Sequence, residues 1–232
     1  MPRPRIPDGI TADQLDPAIR AELRTLPSDL AGTVARHLVA ASLEDEPERA
    51  YAHAQAARGL AARVGAIRET TGLAAYRAGK WAEALAELRA ARRLTGRSAY
   101  LPLMADSERA LGRLDRALAL TSGGEAAKLD RAGQIELRIV ESGIRRDQGL
   151  ADAAVVGLQV PELADGRLRP WSARLFYAYA DALLAAGRDA EARDWFARAA
   201  AADVREETDA ADRLDELADV TIDDLEEAGS ES

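Results

Sequence analysis

The chain has 232 residues and a formal net charge of −9, with ten aromatic residues, no cysteine and two histidines, His37 and His53. Disulfide scaffolds and thiolate metal sites are thereby excluded, and a histidine metal site has little to draw on. No apolar run approaches the roughly 20 residues of a membrane helix, and the start MPRPRIPDG is positively charged with no apolar stretch behind it, so neither a membrane span nor a signal peptide is expected and a soluble cytoplasmic protein is the default.

With so few aromatic residues, the core must come from Ala, Leu and Val, which suits closely packed helices, Ala being the best helix former. Charge is unevenly placed. Residues Asp203–Ser232 hold 13 acidic and 2 basic residues, a net of −11, so the preceding 202 are near +2. A mildly basic body carries an acidic tail.

Residues 1–10, rich in Pro and Arg, read as a mobile arm. Thr11 with Gln14 fits a capping box; Asp16–Pro17 is an alternative helix start, with Pro at the first helical position. Ile19, Leu23 and Leu26 give a short amphipathic helix. Pro27–Ser28 ends it and opens another, with Leu30, Val34, Leu38 and Val39 on one face. Pro47 starts a partner helix through Ala50, Ala54, Ala57 and Leu60.

Glu69–Gly96 reads as two helices folded back on each other through a turn at Gly79–Lys80. Gly72 stands seven positions before the turn glycine, and Ala84 and Ala91 five and twelve after it, small residues where facing helices come close. From here a repeat can be counted. The alanine after each turn recurs as Ala50, Ala84, Ala117, Ala154 and Ala192, at spacings of 34, 33, 37 and 38. The turn glycines five residues earlier are Gly79, Gly112, Gly149 and Gly187, with Asp45 in the first unit. Seven before each glycine sit Gly72, Ala105, Ser142 and Ala180; the first unit departs with Leu38. Such repeats are stacked supersecondary units that bury their apolar faces against neighbours. Pro161–Pro170 is the longest break. Trp171–Ala186 and Ala190–Ala202 make the last hairpin. Thr208 then caps a closing helix with Ala211, Leu214, Leu217 and Ala218 inward, and Asp219–Ser232 is expected to be disordered.

This pattern resembles the tetratricopeptide repeat over Leu30–Asp203. The clearest unit holds Gly72, Gly79, Trp81, Ala84, Leu85, Leu88 and Ala91; the last holds Ala180, Gly187, Ala192, Phe196 and Ala199. The unit at Gly112 has a second helix that ends early, at Thr121–Gly124, and the unit at Gly149 has Pro161 where a late Ala belongs. The layout is also similar to an uncharacterised actinobacterial family of short repeat proteins, which implies no activity. The resemblance implies an all-α, right-handed superhelical solenoid of about five tetratricopeptide-like hairpins with capping helices at both ends. Residues 1–26 form the arm and first helix, 27–203 the repeat domain, and 204–232 the closing helix and acidic tail.

In such arrays the first helix of each hairpin lines a concave groove. That projection places Arg36 there in the first unit, Glu69, Tyr76 and Arg77 in the second, Asp106 and Arg109 in the third, Glu136 and Arg146 in the fourth, and Arg174, Tyr177 and Asp181 in the fifth. Arg recognises carboxylate or phosphate through two parallel hydrogen bonds, and Tyr adds contact area at low entropic cost. The set is either a groove for an acidic or mixed-charge peptide or a solvated surface with pairs such as Asp106–Arg109. The acidic tail is a candidate to fold back on these arginines, or else a solvating extension.

Other candidates give way to structural readings. Gly72–Trp81 is not a phosphate loop: six residues separate its glycines where four are needed, and Trp81 replaces the Ser or Thr that would hold magnesium. No strand precedes Ser122–Gly123–Gly124 to make a nucleophile turn. His37 falls at a core position, where a half-buried structural histidine is expected. The clamp that tetratricopeptide chaperone adaptors build with Asn and Lys is excluded, since the chain has no Asn and Lys80 lies at a turn. The cluster Arg89, Arg92, Arg93 and Arg97 reads as a solvated helix face; nucleic acid ranks below protein because the chain is acidic overall and lacks interleaved aromatics. The expected function is a non-catalytic, cofactor-free protein-interaction module or adaptor that binds a peptide or helix in its concave groove, with an acidic peptide among the candidate partners. The alternative is a regulatory subunit or RNA-associated helical protein acting through its Arg-rich faces.

Overall fold

In this computed structural model, which describes residues 3–217, the chain is all-α, with no strand among the described residues. It forms two compact units, Met1–Arg116 and Ala117–Ser232.

Unit 1 begins with both of the expected helix starts, used in succession. The Thr11 amide donates to Gln14 Oε1 at 2.9 Å, closing a capping box over a short 3-10 turn, Ala12–Gln14. Asp16 Oδ1 then accepts from the Ala18 amide at 2.7 Å and caps α1, Pro17–Glu22. A further 3-10 turn, Leu23–Thr25, leads to α2, Ser28–Leu43. Then follow α3, Pro47–Ala61; α4, Gly65–Arg77; α5, Trp81–Thr95; and α6, Leu101–Ala110. Consecutive helices from α2 to α6 pack in chain order. The division between the units falls within α7, Leu114–Thr121.

The alanine markers land in the core. Ala50, Ala84, Ala117, Ala154 and Ala192 are all 0 % exposed, and the small residues ahead of the turns, Gly72, Ala105, Ser142 and Ala180, are buried. Gly72 shows why size matters there: a Cβ on it would meet Leu88 Cδ2 at 2.6 Å and the Leu88 backbone nitrogen at 3.2 Å. Helices α4 and α5 are in contact at this point, with no room for a methyl group.

The turn glycines explain how the later hairpins reverse. Gly79 has φ +66°, in the left-handed region that a Cβ disfavours. Its amide donates to the Tyr76 carbonyl at 3.0 Å and the next amide, Lys80, reaches back to the Ala75 carbonyl at 2.9 Å. This Schellman arrangement satisfies two carbonyls at the helix end. The same pair of hydrogen bonds recurs at Gly112, Gly149 and Gly187, each with positive φ. The first hairpin, with Asp45 in place of glycine, turns differently. There α2 runs into extended backbone at Glu44, and Glu46 caps α3 by accepting from the Glu48 and Arg49 amides at 3.0 and 2.9 Å.

Unit 2 contains α8, Arg131–Asp147; α9, Ala151–Gly157; α10, Ser172–Ala185; and α11, Asp189–Ala202. Helix α8 packs on α9, α10 packs on both, and α11 pairs with α10 around Leu175, Leu183 and Phe196. A last helix covers residues 210–217. Its phase differs from expectation by one residue: Ala210 is buried and Ala211 exposed, while Leu214 and Leu217 pack on the core as expected. Thr208 does not cap it. Its hydroxyl donates instead to Asp203 Oδ2 at 2.6 Å, which fixes the turn ahead of the helix. Ala218 and the tail Asp219–Ser232 lie outside the described residues.

Candidate functional site

In unit 1, the candidate residues lie on α2, α4 and α6, and most of them are engaged with one another. The Tyr76 hydroxyl on α4 donates to Asp106 Oδ2 on α6 at 2.5 Å, and Arg109 Nε donates to Asp106 Oδ1 at 2.9 Å. Asp106–Arg109 is therefore the i,i+3 pair that the spacing allowed. Tyr76 also meets Trp81 edge-on, with ring centroids 5.2 Å apart. Glu69 is buried and does not line an open groove. Tyr100 donates to its Oε2 at 3.3 Å, and Arg97 Nη2 lies 2.8 Å from Oε1 as a charge contact, although Oε1 accepts no aligned hydrogen bond. Burial, followed by the Glu69 charge, raises the Tyr100 hydroxyl above its ordinary pKa. Arg36 and Arg77 remain exposed and make no ion pair among the described residues.

In unit 2, the candidates are consumed. Arg174 Nη2 on α10 donates to Glu136 on α8 at 2.5 Å, and Arg146 pairs with Asp181 between the same two helices. The segment after α11 adds a second layer. Glu207 lies 3.2 Å from Arg174, Arg213 lies 3.7 Å from Asp181, and the Asp209 carboxylate acts on the Tyr177 hydroxyl. Burial first, and then that carboxylate, push the Tyr177 hydroxyl up to about 12. The described part of the acidic segment thus meets the basic and phenolic groups of α10.

Two buried charge clusters were not anticipated. Glu87 on α5 is buried between Arg58 of α3 at 2.7 Å and Arg68 of α4 at 2.6 Å. Glu108 on α6 is 0 % exposed and held by Arg89 of α5 at 2.5 Å and Arg113 at 3.4 Å. Each of these carboxylates ties one hairpin to the next. The signal was present in the sequence: Glu87 follows Ala84 by three and precedes Ala91 by four, on the inward phase of its helix. The same contacts alter the basic cluster, because Arg89 is directed to Glu108 and Arg97 to Glu69 and Glu22.

His37 is not half-buried but 3 % exposed, and it faces His53, 4 % exposed, across α2 and α3. Their Nδ1 atoms are 3.1 Å apart, so one ring donates Nδ1–H and the other accepts. Burial lowers both pKa values. His53, Arg3 and Arg36 lower His37 further, while Glu44 works the other way on His53. Because the folded state refuses protons that the unfolded chain takes up near the ordinary value of 6.5, stability is full above that pH and falls as pH drops through and below it. The urea midpoint of unit 1 is expected to be lower at pH 5.5 than at 7.5, and the difference to shrink when both rings are replaced by Phe. These are the only histidines, and no other side-chain type has its ordinary value inside this window. An unchanged pH difference in the doubly replaced protein would contradict the buried neutral pair.

Among the described residues no group of three His, Cys, Asp or Glu side chains is placed to hold a metal ion, and no helix is long and apolar enough to cross a membrane. No protein-family model matches the chain, and no curated protein matches it in sequence.

Proposed function

We propose that this chain is a non-catalytic protein-interaction module or adaptor, built as a tetratricopeptide-like solenoid, whose partner presents acidic groups. The observation that carries this reading is the division among the candidate groove residues. Tyr76, Asp106, Arg109, Glu136, Arg146, Arg174, Tyr177 and Asp181 interact with protein groups, while Arg36 and Arg77 stand exposed on the first helices of two successive hairpins with no ion pair among the described residues. Charges already paired add little on binding. Exposed guanidinium groups are open to carboxylates or phosphates and steer an acidic partner's approach. The recurrent buried alanines and Schellman turns support the repeat architecture, and the engagement of Arg89 and Arg97 with carboxylates weighs against the RNA-associated alternative.

The test is affinity capture from cells of the source organism with the wild-type chain and with Arg36→Glu/Arg77→Glu, each with and without ribonuclease. Capture of a protein that survives ribonuclease and drops at least about tenfold with the double variant, roughly a 1.4 kcal/mol loss, is expected. Capture abolished by ribonuclease would instead favour the RNA-associated reading.

A further inference from the structure

The start of unit 1 holds an open cavity of about 630 Å³, between α1 with its following 3-10 turn and the first half of α2, within the range of roughly 300–1,000 Å³ usual for ligand-binding clefts. Its floor on α2 is Ala31, Gly32 and Ala35, and its facing wall includes Leu23 and Leu26. Arg20 and Arg24 also line it, both exposed and without an ion pair among the described residues. No acidic residue lines it. Two nearby carboxylates are engaged elsewhere: Asp16 caps α1, and Glu22 accepts from the Ala66 amide at 3.0 Å.

We propose that this groove receives an acidic amphipathic helix of a partner protein, with the partner's apolar side chains on the α2 floor and its carboxylates on Arg20 and Arg24. This rests on the protein-interaction reading above and assigns it a site and a partner chemistry. Three features fix the occupant. The groove is apolar within and solely basic among its charged lining, so the complementary surface is apolar with acidic flanks. The two arginines line the same groove, Arg20 from α1 and Arg24 from the 3-10 turn that follows it, so carboxylates on one face of a helix, at i and i+4, can each meet one of them; a ligand with one carboxylate engages only one of them. Gly32 lies inside α2, where glycine is disfavoured by up to about 1 kcal/mol relative to Ala. A Cβ at Gly32 would meet nothing within 4 Å, so internal packing does not require the glycine, and its absence of side chain leaves the floor low for a close helix approach.

The test uses the full-length chain, ¹⁵N-labelled, titrated with a capped synthetic peptide carrying Leu at i, i+3, i+4 and i+7 and Glu elsewhere, and with a counterpart carrying Lys for Glu. The acidic peptide is expected to give saturable amide shifts at Leu23, Gly32 and Ala35, and the Lys peptide none. Arg20→Glu/Arg24→Glu and, independently, Gly32→Gln are expected to weaken binding at least about tenfold. Gly32→Gln blocks the floor while improving helix propensity, so a thermal melt no lower than wild type separates blocking from unfolding. Absence of acidic-peptide binding at millimolar concentration overturns the proposal, as do shifts confined to other helices or binding indifferent to Gly32→Gln. Displacement of the peptide by stoichiometric decanoate overturns it in favour of a small amphiphile. In each of these cases ribonuclease-resistant capture that depends on Arg36 and Arg77 would leave the broader interaction reading standing.

Discussion

Ala84→Glu is expected to destabilise unit 1 by about 4 kcal/mol or more, among the largest effects a single substitution produces. Ala84 is 0 % exposed and sits in a cluster with Ala41, Tyr51, Ala54, Ala74 and Ala75. A carboxylate there loses its water and gains no evident partner. Lys80, one turn earlier, is already held by Glu48 at 2.7 Å. Ala84→Leu, which adds bulk without charge, is expected to cost about 1–3 kcal/mol through overpacking. Glu83→Leu, on the exposed side of the same helix, is expected to stay within about 0.5 kcal/mol. Urea denaturation of the three variants gives the comparison, and equal effects at positions 83 and 84 would show that the repeat register is wrong.

The second large effect concerns Glu108. With both of its arginines replaced, Arg89→Met/Arg113→Met, a fully buried carboxylate is left without its ion pairs, and about 3–5 kcal/mol of stability is expected to be lost. Adding Glu108→Met to that background is expected to restore most of the loss, because an apolar triad of similar volume has no charge to desolvate. Glu108→Met alone is expected to be milder than the double arginine replacement, since Arg89 and Arg113 are nearly half exposed and can turn to water. Denaturant midpoints of the set decide the matter; a triple variant no more stable than the double would mean that the arginines act through packing of their stems and not through the buried charge.

Much of the hairpin architecture was legible in the sequence because it rests on residues with few substitutes. Left-handed turn positions at 79, 112, 149 and 187 favour glycine, and the close helix contact at Gly72 admits nothing larger. The first hairpin also fits, though its turn depends on Glu46 as a cap, a residue type too common to mark a boundary by itself. What the pattern did not reveal was pairing. Acidic residues are abundant, and composition cannot distinguish Glu87 or Glu108, buried between arginines, from Glu83 on the surface. Helical phase does distinguish them, since Glu87 shares the inward face with Ala84 and Ala91.

The candidate groove residues were selected by position in the repeat and not by pairing. Projecting the repeat selected residues on the first helices of successive hairpins, and several of them do meet their neighbours across those helices, as Tyr76 meets Asp106 and Arg174 meets Glu136. The projection could not show that they satisfy one another, because an ion pair depends on two side chains some 30 to 40 residues apart. The same holds for His37 and His53, 16 residues apart in sequence and 3.1 Å apart in space. The cavity beside α2 was missed because its Ala and Gly floor looks like any helix interior, and its arginines belong to a different helix.

The most direct test of the central claim, that the exposed arginines receive an acidic partner, is the salt dependence of peptide binding to the wild-type chain by fluorescence anisotropy. Labelled acidic and basic amphipathic peptides of equal length are titrated at about 20 mM and about 500 mM salt, conditions on either side of strong screening. The acidic peptide is expected to bind at low salt, to weaken markedly at high salt, and to bind more tightly than the basic one throughout. Equal binding of the two peptides, or acidic-peptide binding that does not change with salt, would contradict the account.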